Sequence, residues 1–238
     1  MKTVLITGGS RGIGRAMVEL FSERGYSVAF TYKNSDAQAS ALSEKTGALA
    51  IKADSSKEEE ILRAVETVRK NLGAVEILIN NAAVSAFSLF TDISLDDWRE
   101  MFSINVDGAF LYTKAVLGDM IKNHFGRVIN VSSMWGVVGS SCEVCYSATK
   151  AALIGMTKAL AKEVGPSGIT VNCIAPGMID TDMNASLSEE DVRAIADETP
   201  LMRIGTPREI AEAAFFLAGD GASFITGQIL GVNGGLVV

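Results

Sequence analysis

The sequence is poor in the residues that define several classes of protein. It has 3 cysteines and 1 histidine among 238 residues. Three cysteines are an odd and sparse set, which is not a disulfide framework. No apolar run reaches the roughly 18 residues of a membrane span. The chain begins Met1-Lys2 and passes straight into a short apolar segment, without the layout of a signal peptide. These absences predict a cytoplasmic protein that does not enter a membrane.

Cys142 and Cys145 form the one C-x-x-C pair of the sequence. A metal site of the common kinds would require a second cysteine pair or nearby histidines, and His124 is far away in the sequence, so metal binding is disfavoured and redox chemistry is left as a minor alternative. We therefore expect no metal site. The two thiols are expected to lie near the wall of a pocket.

Basic residues are outnumbered, 21 against 28 acidic ones, which gives a net charge of -7. They are also scattered singly, which argues against nucleic acid or an anionic membrane as a partner. The charge pattern therefore favours a small molecule as the ligand. Linkers, low-complexity runs and internal repeats are lacking too, so residues 1–238 are predicted to form a single domain.

Apolar strands alternate with amphipathic helices along the chain. Strands are predicted at 3–7, 27–32, 48–53, 75–79, 128–131, 169–174 and 228–232. The intervening helices include 35–46, 95–102, 105–123 and 207–218, while 182–203 is predicted as a mobile cover. This alternation predicts an α/β fold: a Rossmann-type, doubly wound parallel sheet with helices on both faces. Ligands of such sheets bind at the carboxyl ends of the strands.

A glycine turn joins the first strand to the first helix. It contains Gly8, Ser10, Arg11, Gly12, Ile13 and Gly14. Glycines there allow a pyrophosphate to approach the backbone at the positive end of the helix dipole. No Lys-Ser or Lys-Thr pair follows the last glycine, so a nucleoside triphosphate loop is a poor interpretation. The turn predicts a dinucleotide site.

The end of the second strand predicts which dinucleotide binds. An acidic residue there would hold the ribose hydroxyls of NAD, whereas basic or small polar residues accept the 2′-phosphate of NADP. This strand is followed by Lys33 and Asn34, and the first acid is Asp36. Arg11 could supply a second cation, so the predicted cofactor is NADPH.

Tyr146 and Lys150 are predicted to project from one face of a helix, because they are four residues apart. A nearby ammonium favours the phenolate, so we expect Lys150 to lower the pKa of Tyr146 and make it usable in proton transfer. Two interpretations of Asp54 stay open. It either contacts the adenosine or forms the N-cap of a helix that starts at Ser55 or Ser56.

Together these motifs resemble the short-chain dehydrogenase/reductase family over residues 3–235. The matching segments are 7–14, 80–82, Asn105, Ser133, 146–150 and 176–177. Within the family, segments 127–130, 168–172, 225–228 and 232–235 are most similar to bacterial 3-oxoacyl-acyl-carrier-protein reductases.

The resemblance implies a role for each matching residue. Tyr146 would protonate a carbonyl oxygen that Ser133 also contacts, Lys150 would hold the nicotinamide ribose, and Asn105 would anchor a water that resupplies the proton. The implied cofactor-binding set is Gly8, Ser10, Arg11, Gly12, Ile13, Gly14, Lys33, Asn34, Asp54, Asn81, Ala82, Ala83, Tyr146, Lys150, Pro176, Gly177, Ile179 and Thr181. Ala83 departs from the glycine that is usual in the family.

The resemblance leaves the substrate open. It implies a reductase of a 3-oxoacyl thioester or a similar ketone. The alternative enzyme is a dehydrogenase of a sugar, polyol or steroid alcohol. The non-enzymatic alternative is a catalytically silent protein that binds a dinucleotide. His124 and Ser167 occupy positions where relatives tend to carry arginines that meet an acidic acyl carrier protein. We therefore expect weak steering of such a carrier. The candidate pocket residues suggest an apolar ketone; they are Ser85, Phe87, Trp135, Cys142, Met178 and Met183. A homotetramer is also implied.

Overall fold

The computed structural model describes residues 1–184 and 188–238. In this part of the chain a sheet of 7 parallel strands has the order β3-β2-β1-β4-β5-β6-β7. The order reverses direction next to β1, which is the arrangement of a doubly wound fold. The strands are β1 (Thr3–Ile6), β2 (Ser27–Tyr32), β3 (Leu49–Lys52), β4 (Ile77–Asn80), β5 (Gly126–Val131), β6 (Ile169–Pro176) and β7 (Ile229–Val232).

Helices cover both faces of this sheet. They are α1 (Gly12–Glu23), α2 (Asp36–Thr46), α3 (Glu58–Leu72), α4 (Leu95–Phe102), α5 (Gly108–Lys122), α6 (Trp135–Val138), α7 (Val144–Val164), α8 (Glu189–Glu198) and α9 (Pro207–Ala218). None of the helices in the described ranges is both long and apolar enough to cross a membrane.

Two apolar cores lie on opposite faces of the sheet. Along β1, Val4 and Ile6 pack in the core that contains α1 and α9, whereas Leu5 packs in the core that contains α3, α5 and α7. Successive strand residues point to opposite faces, so a strand covered on both faces has to be apolar throughout. The predicted fold class is therefore confirmed.

The main differences from the prediction concern element ends and short helices. β4 runs to Asn80 and β6 to Pro176, because Asn80 pairs in register with Asn130 and Pro176 with Val232. The short helix α6 was not predicted. The sequence offers only a few residues there, too few to show a helical period.

The predicted cover at 182–203 contains α8, which the prediction also missed. Ser188 caps this helix by accepting from the backbone nitrogen of Asp191, and the Asp191 carboxylate accepts from the backbone nitrogen of Ser188. Such an S-x-x-D capping box is a readable sequence signal. Residues 185–187 of the predicted cover lie outside the described residues, and the mobility of the cover stays a prediction.

Candidate active site

The glycine turn lies between β1 and the N-terminus of α1. Gly8 has φ +66, and a Cβ there would lie 2.9 Å from the Cα of Ala82. A Cβ on Gly14 would overlap the carbonyl oxygen of Gly8. Only glycine fits at these two positions. Because the turn carries no side chain there, an anion can approach the backbone amides at the start of α1. The turn fits the pyrophosphate of a dinucleotide.

Asn81 and Thr7 tie this turn to the end of β4. The side-chain nitrogen of Asn81 donates to the carbonyl oxygens of Thr7 and Gly8 at 3.0 and 3.1 Å. The hydroxyl oxygen of Thr7 accepts from the backbone nitrogens of Asn81 and Ala82, both at 2.9 Å. Asn81 therefore positions the glycine turn with its side chain. Ala82 and Ala83, both partly buried, follow it at the same edge.

Lys33 and Asp54 meet at the ends of β2 and β3. The Lys33 nitrogen lies 2.7 Å from Oδ2 of Asp54. Asp54 also accepts from the backbone nitrogen and hydroxyl of Ser56, at 2.9 and 2.8 Å. Burial raises the pKa of Asp54, but these hydrogen bonds outweigh it and hold the pKa below its usual value.

The N-cap interpretation of Asp54 is wrong. Helix α3 begins at Glu58, and its N-cap residue is Lys57. Asp54 instead closes a local turn onto Ser56, which is a common use of an aspartate side chain. Arg11, the N-cap residue of α1, and Asn34 are both exposed. Arg11 forms no ion pair with any residue of the described ranges.

Tyr146 and Lys150 lie in the first two turns of α7, and both side chains are buried. The Lys150 nitrogen is 5.5 Å from the centre of the Tyr146 ring and donates to the carbonyl oxygen of Val131 at 2.8 Å. The hydroxyl of Ser132 donates to the carbonyl oxygen of Lys150 at 2.8 Å. The end of β5 and the loop after it therefore bind this part of α7 through two hydrogen bonds.

The predicted effect of Lys150 on Tyr146 is not found. Burial raises the pKa of Tyr146 to about 12, although a hydrogen bond with Ser133 acts in the opposite direction. Burial also lowers the pKa of Lys150 to about 8. Desolvation disfavours the charged form of each group and is the largest influence on both pKa values. The tyrosine is therefore protonated at neutral pH.

Ser133 follows β5, and its side chain lies near that of Tyr146. Its hydroxyl accepts from the backbone nitrogen of Trp135 at 3.1 Å and lies close enough to Tyr146 to lower the pKa of the phenol. The backbone nitrogen of the next residue, Met134, donates to the carbonyl oxygen of Pro176 at 2.9 Å. This bond joins the Ser133 turn to the end of β6. Two hydroxyls thus converge at the carboxyl edge of the sheet, where an oxygen that develops negative charge could accept from both.

Asn105 lies in a π-helical turn, Ser103–Asp107, between α4 and α5. The prediction that Asn105 opens or interrupts the long helix is confirmed. Its side-chain oxygen accepts from the Val84 nitrogen at 2.8 Å, and its nitrogen donates to the Val84 carbonyl and the Thr149 hydroxyl at 2.9 and 3.1 Å. Asn105 thus joins the loop after β4 to α7. The implied role in anchoring a water stays a prediction.

The segment after β6 completes the edge. The Gly177 nitrogen donates to the carbonyl oxygen of Val232 at 3.0 Å, and Ile179 is buried and bridges to Gly205. The methyl carbon of Thr181 would lie 3.4 Å from a Cβ on Gly12, so Thr181 borders the glycine turn. A cavity of about 230 Å³ adjoins this segment, lined by Met178, Ile179, Asp180, Thr181, Asp182, Asn184, Val192 and Ile204.

Cys142 and Cys145 both carry free thiols. Cys145 is buried with Met101 and Tyr146, in a cluster that Trp98 and Trp135 also contact. The expected position of the two thiols beside a pocket wall stays a prediction. Within the described ranges, no group of three or more His, Cys, Asp or Glu side chains is arranged to hold a metal ion.

Two positions that shape the site carry no readable sequence signal. A Cβ on Gly136 in α6 would lie 2.6 Å from the Ser132 hydroxyl oxygen and 2.8 Å from the Lys150 Cβ, so α6 packs directly on α7. Cys173 in β6 is buried close enough to Lys150 for each to affect the pKa of the other. Both contacts join residues that are distant in sequence.

Comparison with known proteins supplies independent evidence. A family model described as enoyl-(acyl carrier protein) reductase matches residues 8–237. The 3-oxoacyl-[acyl-carrier-protein] reductase of Aquifex aeolicus is 42% identical over 240 residues, which cover 99% of this chain and 97% of that protein.

Two solved structures are similar over the whole chain. A double mutant of a Serratia marcescens short-chain dehydrogenase/reductase has a TM-score of 0.93 and 34% identity, covering 100% of this chain and 98% of that one. A blue fluorescent protein from a metagenomic library, in complex with NADPH, has a TM-score of 0.92 and 36% identity, with the same coverage of 100% and 98%.

Proposed function

The chain belongs to the short-chain dehydrogenase/reductase family and is an oxidoreductase. On that premise we propose that it is an NADPH-dependent reductase of the 3-keto group of a 3-oxoacyl thioester or a similar apolar ketone. The observation that carries the proposal is the convergence of the Ser133 and Tyr146 hydroxyls at the sheet edge that also holds the glycine turn.

The residues present fit a nicotinamide dinucleotide. The glycine turn and the N-terminus of α1 would hold the pyrophosphate, and Lys33 with Arg11 would hold a 2′-phosphate. Ile179 and Thr181 would contact the nicotinamide end, since Thr181 borders the glycine turn and Ile179 lies two residues before it on the same segment. When bound, the cofactor supplies the hydride.

The proton would come from Tyr146. With a pKa of about 12 the phenol keeps its proton at neutral pH and can donate it to a carbonyl oxygen that gains charge. Ser133 would donate to the same oxygen and stabilise the charge. Lys150 would hold the nicotinamide ribose of the cofactor. The apolar cluster of Trp98, Met101 and Trp135 would exclude water from the site.

We also propose that the chain forms a homotetramer, paired through α5 and α7 and through α9 and β7. Large apolar side chains are exposed on these elements, including Phe110 on α5 and Phe216 on α9, each about half exposed. Aromatic residues are enriched at protein–protein interfaces relative to the rest of the surface. Light scattering with size-exclusion chromatography should give four times the chain mass; the mass of a monomer would contradict the proposal.

The catalytic proposal is tested with purified protein, acetoacetyl-CoA, and NADPH or NADH in separate assays, following the loss of nicotinamide absorbance. We expect turnover with NADPH, and a loss of about 10²–10⁴-fold in Tyr146→Phe. Tyr26→Phe is the matched control, because Tyr26 packs between Phe21 and Phe215, outside the site. Unchanged turnover in Tyr146→Phe would refute the proposal. If NADPH binds but no thioester is reduced, alcohols become the substrates to test.

A further inference from the structure

Lys150 is bound at both ends by two consecutive residues, Val131 at the end of β5 and Ser132 after it. The side-chain nitrogen of Lys150 donates to the carbonyl oxygen of Val131 at 2.8 Å. The backbone carbonyl oxygen of Lys150 accepts from the hydroxyl of Ser132, also at 2.8 Å. Both Lys150 and Ser132 are almost fully buried, so water does not compete for these bonds. The lysine is therefore fixed to the end of β5 through its ammonium and through its backbone.

Ser132 is itself held in place by two other elements. Its backbone nitrogen donates to the carbonyl oxygen of Ile174 in β6 at 2.8 Å. A Cβ on Gly136 would lie 2.6 Å from the Ser132 hydroxyl oxygen and 2.8 Å from the carbonyl carbon of Lys150. Gly136 in α6 thus packs directly over the bond between Ser132 and Lys150. The hydroxyl is therefore confined against α7 at a position that β6 and α6 define.

The bond from Ser132 is not one that α7 needs in order to form. The carbonyl oxygen of Lys150 lies inside this helix, where the backbone nitrogen of Ile154 is its regular donor. Two other hydroxyls that donate to carbonyl oxygens of α7, those of Thr149 and Thr157, belong to the helix itself. Ser132 lies outside the helix, so its hydroxyl connects α7 to a different element of the fold.

The two reacting hydroxyls lie on the segments that this bond connects. Ser133 is the residue after Ser132, and Tyr146 lies about one turn before Lys150 on α7. We propose that Ser132 is a positioning residue: its hydroxyl fixes α7 against the end of β5 and so holds Tyr146 at the Ser133 hydroxyl. Ser132 acts through Lys150, whose backbone it binds. The inference rests on the proposed function, since that function makes Tyr146 and Ser133 the reacting pair.

Two variants of Ser132 test the inference. Ser132→Ala deletes the hydroxyl, and Ser132→Cys replaces it with a thiol, a weak donor that fills the same space. With NADPH and acetoacetyl-CoA, kcat should fall about tenfold and KM for the thioester should change less than about twofold, because a displaced reacting group affects the chemical step more than substrate binding. If Ser132→Ala does not fold, Ser132→Cys carries the test. Wild-type kcat in the folded variants would overturn the inference.

Ser43→Ala is the matched control. The Ser43 hydroxyl donates to the carbonyl oxygen of Ala48 at 2.7 Å and so connects α2 to the amino end of β3, at the edge of the sheet opposite to the site. The substitution removes the same kind of bond and should leave kcat and KM unchanged. An equal fall of kcat in Ser43→Ala and Ser132→Ala would overturn the inference, since it would show a general effect of lost stability.

Hydrogen exchange separates this inference from the proposed function, because it requires no turnover. Mass spectrometry follows the backbone amides of segments 145–151 and 158–164, at the two ends of α7. In Ser132→Ala the first segment should exchange about tenfold faster, and the second at the wild-type rate. If the wild type reduces no thioester, the proposed function fails, but this local loss of protection would still support the attachment of α7 by Ser132. Unchanged exchange, or an equal increase in both segments, would overturn it.

Discussion

The side-chain nitrogen of Lys33 lies 2.7 Å from Oδ2 of Asp54. Two residues that were each predicted to contact the cofactor therefore form an ion pair with each other. They follow the neighbouring parallel strands β2 and β3, whose carboxyl ends meet at one edge of the sheet. The pair raises the pKa of Lys33 and keeps the lysine charged. A 2′-phosphate would therefore meet a cation that is already held in place.

Lys33→Ala should reduce the preference for NADPH. A hydrogen bond to a charged group contributes about 1.5–3 kcal/mol, so kcat/KM with NADPH should fall at least about tenfold. The value with NADH should change less than about twofold, because NADH lacks the phosphate. Steady-state kinetics with each cofactor measures both values.

Lys52→Ala is the control for this prediction. Lys52 also pairs with an aspartate, Asp36, at 2.9 Å, and both side chains are exposed. This variant should leave both cofactors unaffected. Equal losses with NADPH and NADH in Lys33→Ala would mean that Lys33 supports Asp54 and does not contact the phosphate.

Lys150 makes folding stability depend on pH. Its pKa is about 8 in the folded protein against 10.5 for an unperturbed lysine. Below pH 8 both states bind the proton, and burial of the ammonium costs the folded state free energy. Between these two values only the unfolded state binds it, so the free energy of unfolding rises with pH.

The variant Lys150→Met isolates this contribution. The difference in unfolding free energy between wild type and variant should rise in favour of the wild type by about 2 kcal/mol from about pH 7.5 to about pH 9.5. Cys173, whose pKa burial raises to about 11, acts with the opposite sign in both proteins, and loss of the Lys150 charge raises its pKa further in the variant. Urea unfolding at the two pH values measures the difference, and parallel curves would contradict the prediction.

Gly136→Ala should displace Lys150. The added Cβ would lie 2.6 Å from the Ser132 hydroxyl oxygen and 2.8 Å from the Lys150 Cβ, so α6 and α7 would have to separate. Overpacking of this kind costs about 1–3 kcal/mol of stability. We expect kcat to fall about 10²-fold, because a displacement of about 1 Å at a catalytic group has this effect.

Gly165→Ala is the matched substitution for this prediction. Gly165 has right-handed helical backbone angles, and no atom lies within 4 Å of an added Cβ. Urea unfolding and steady-state kinetics of both variants are compared with the wild type. Full activity in Gly136→Ala would show that the contact between α6 and α7 does not position Lys150.

Asn105→Ala should loosen the connection between the loop after β4 and α7. It removes the partner of both backbone groups of Val84 and one of the two hydrogen bonds of the Thr149 hydroxyl. A buried polar group without a partner costs about 1–3 kcal/mol, so we expect the free energy of unfolding to fall by about 2–3 kcal/mol. Asn71→Ala, which removes an exposed amide that donates to Thr67 on α3, should have little effect. Equal stability of the two variants, measured by urea unfolding, would contradict the prediction.

The sequence was sufficient for the parts of the molecule that depend on neighbours along the chain. Apolar strands that alternate with helices predicted the parallel sheet, and the glycine turn was placed correctly between β1 and α1. The spacing of Tyr146 and Lys150 predicted one helix, since residues four apart share a face. The preference of asparagine for the ends and interruptions of helices predicted a break at Asn105, but not that it is a π-helical turn.

Tertiary structure alone decided how these residues are partnered and charged. Lys33 binds Asp54, Lys150 binds the carbonyl oxygen of Val131, and α6 packs on α7 at Gly136. Each contact joins residues that are distant in sequence, so no local pattern records it. The sign of the pKa shift of Tyr146 was also mispredicted, because spacing reports which charges are near but not how much water the fold removes from around them.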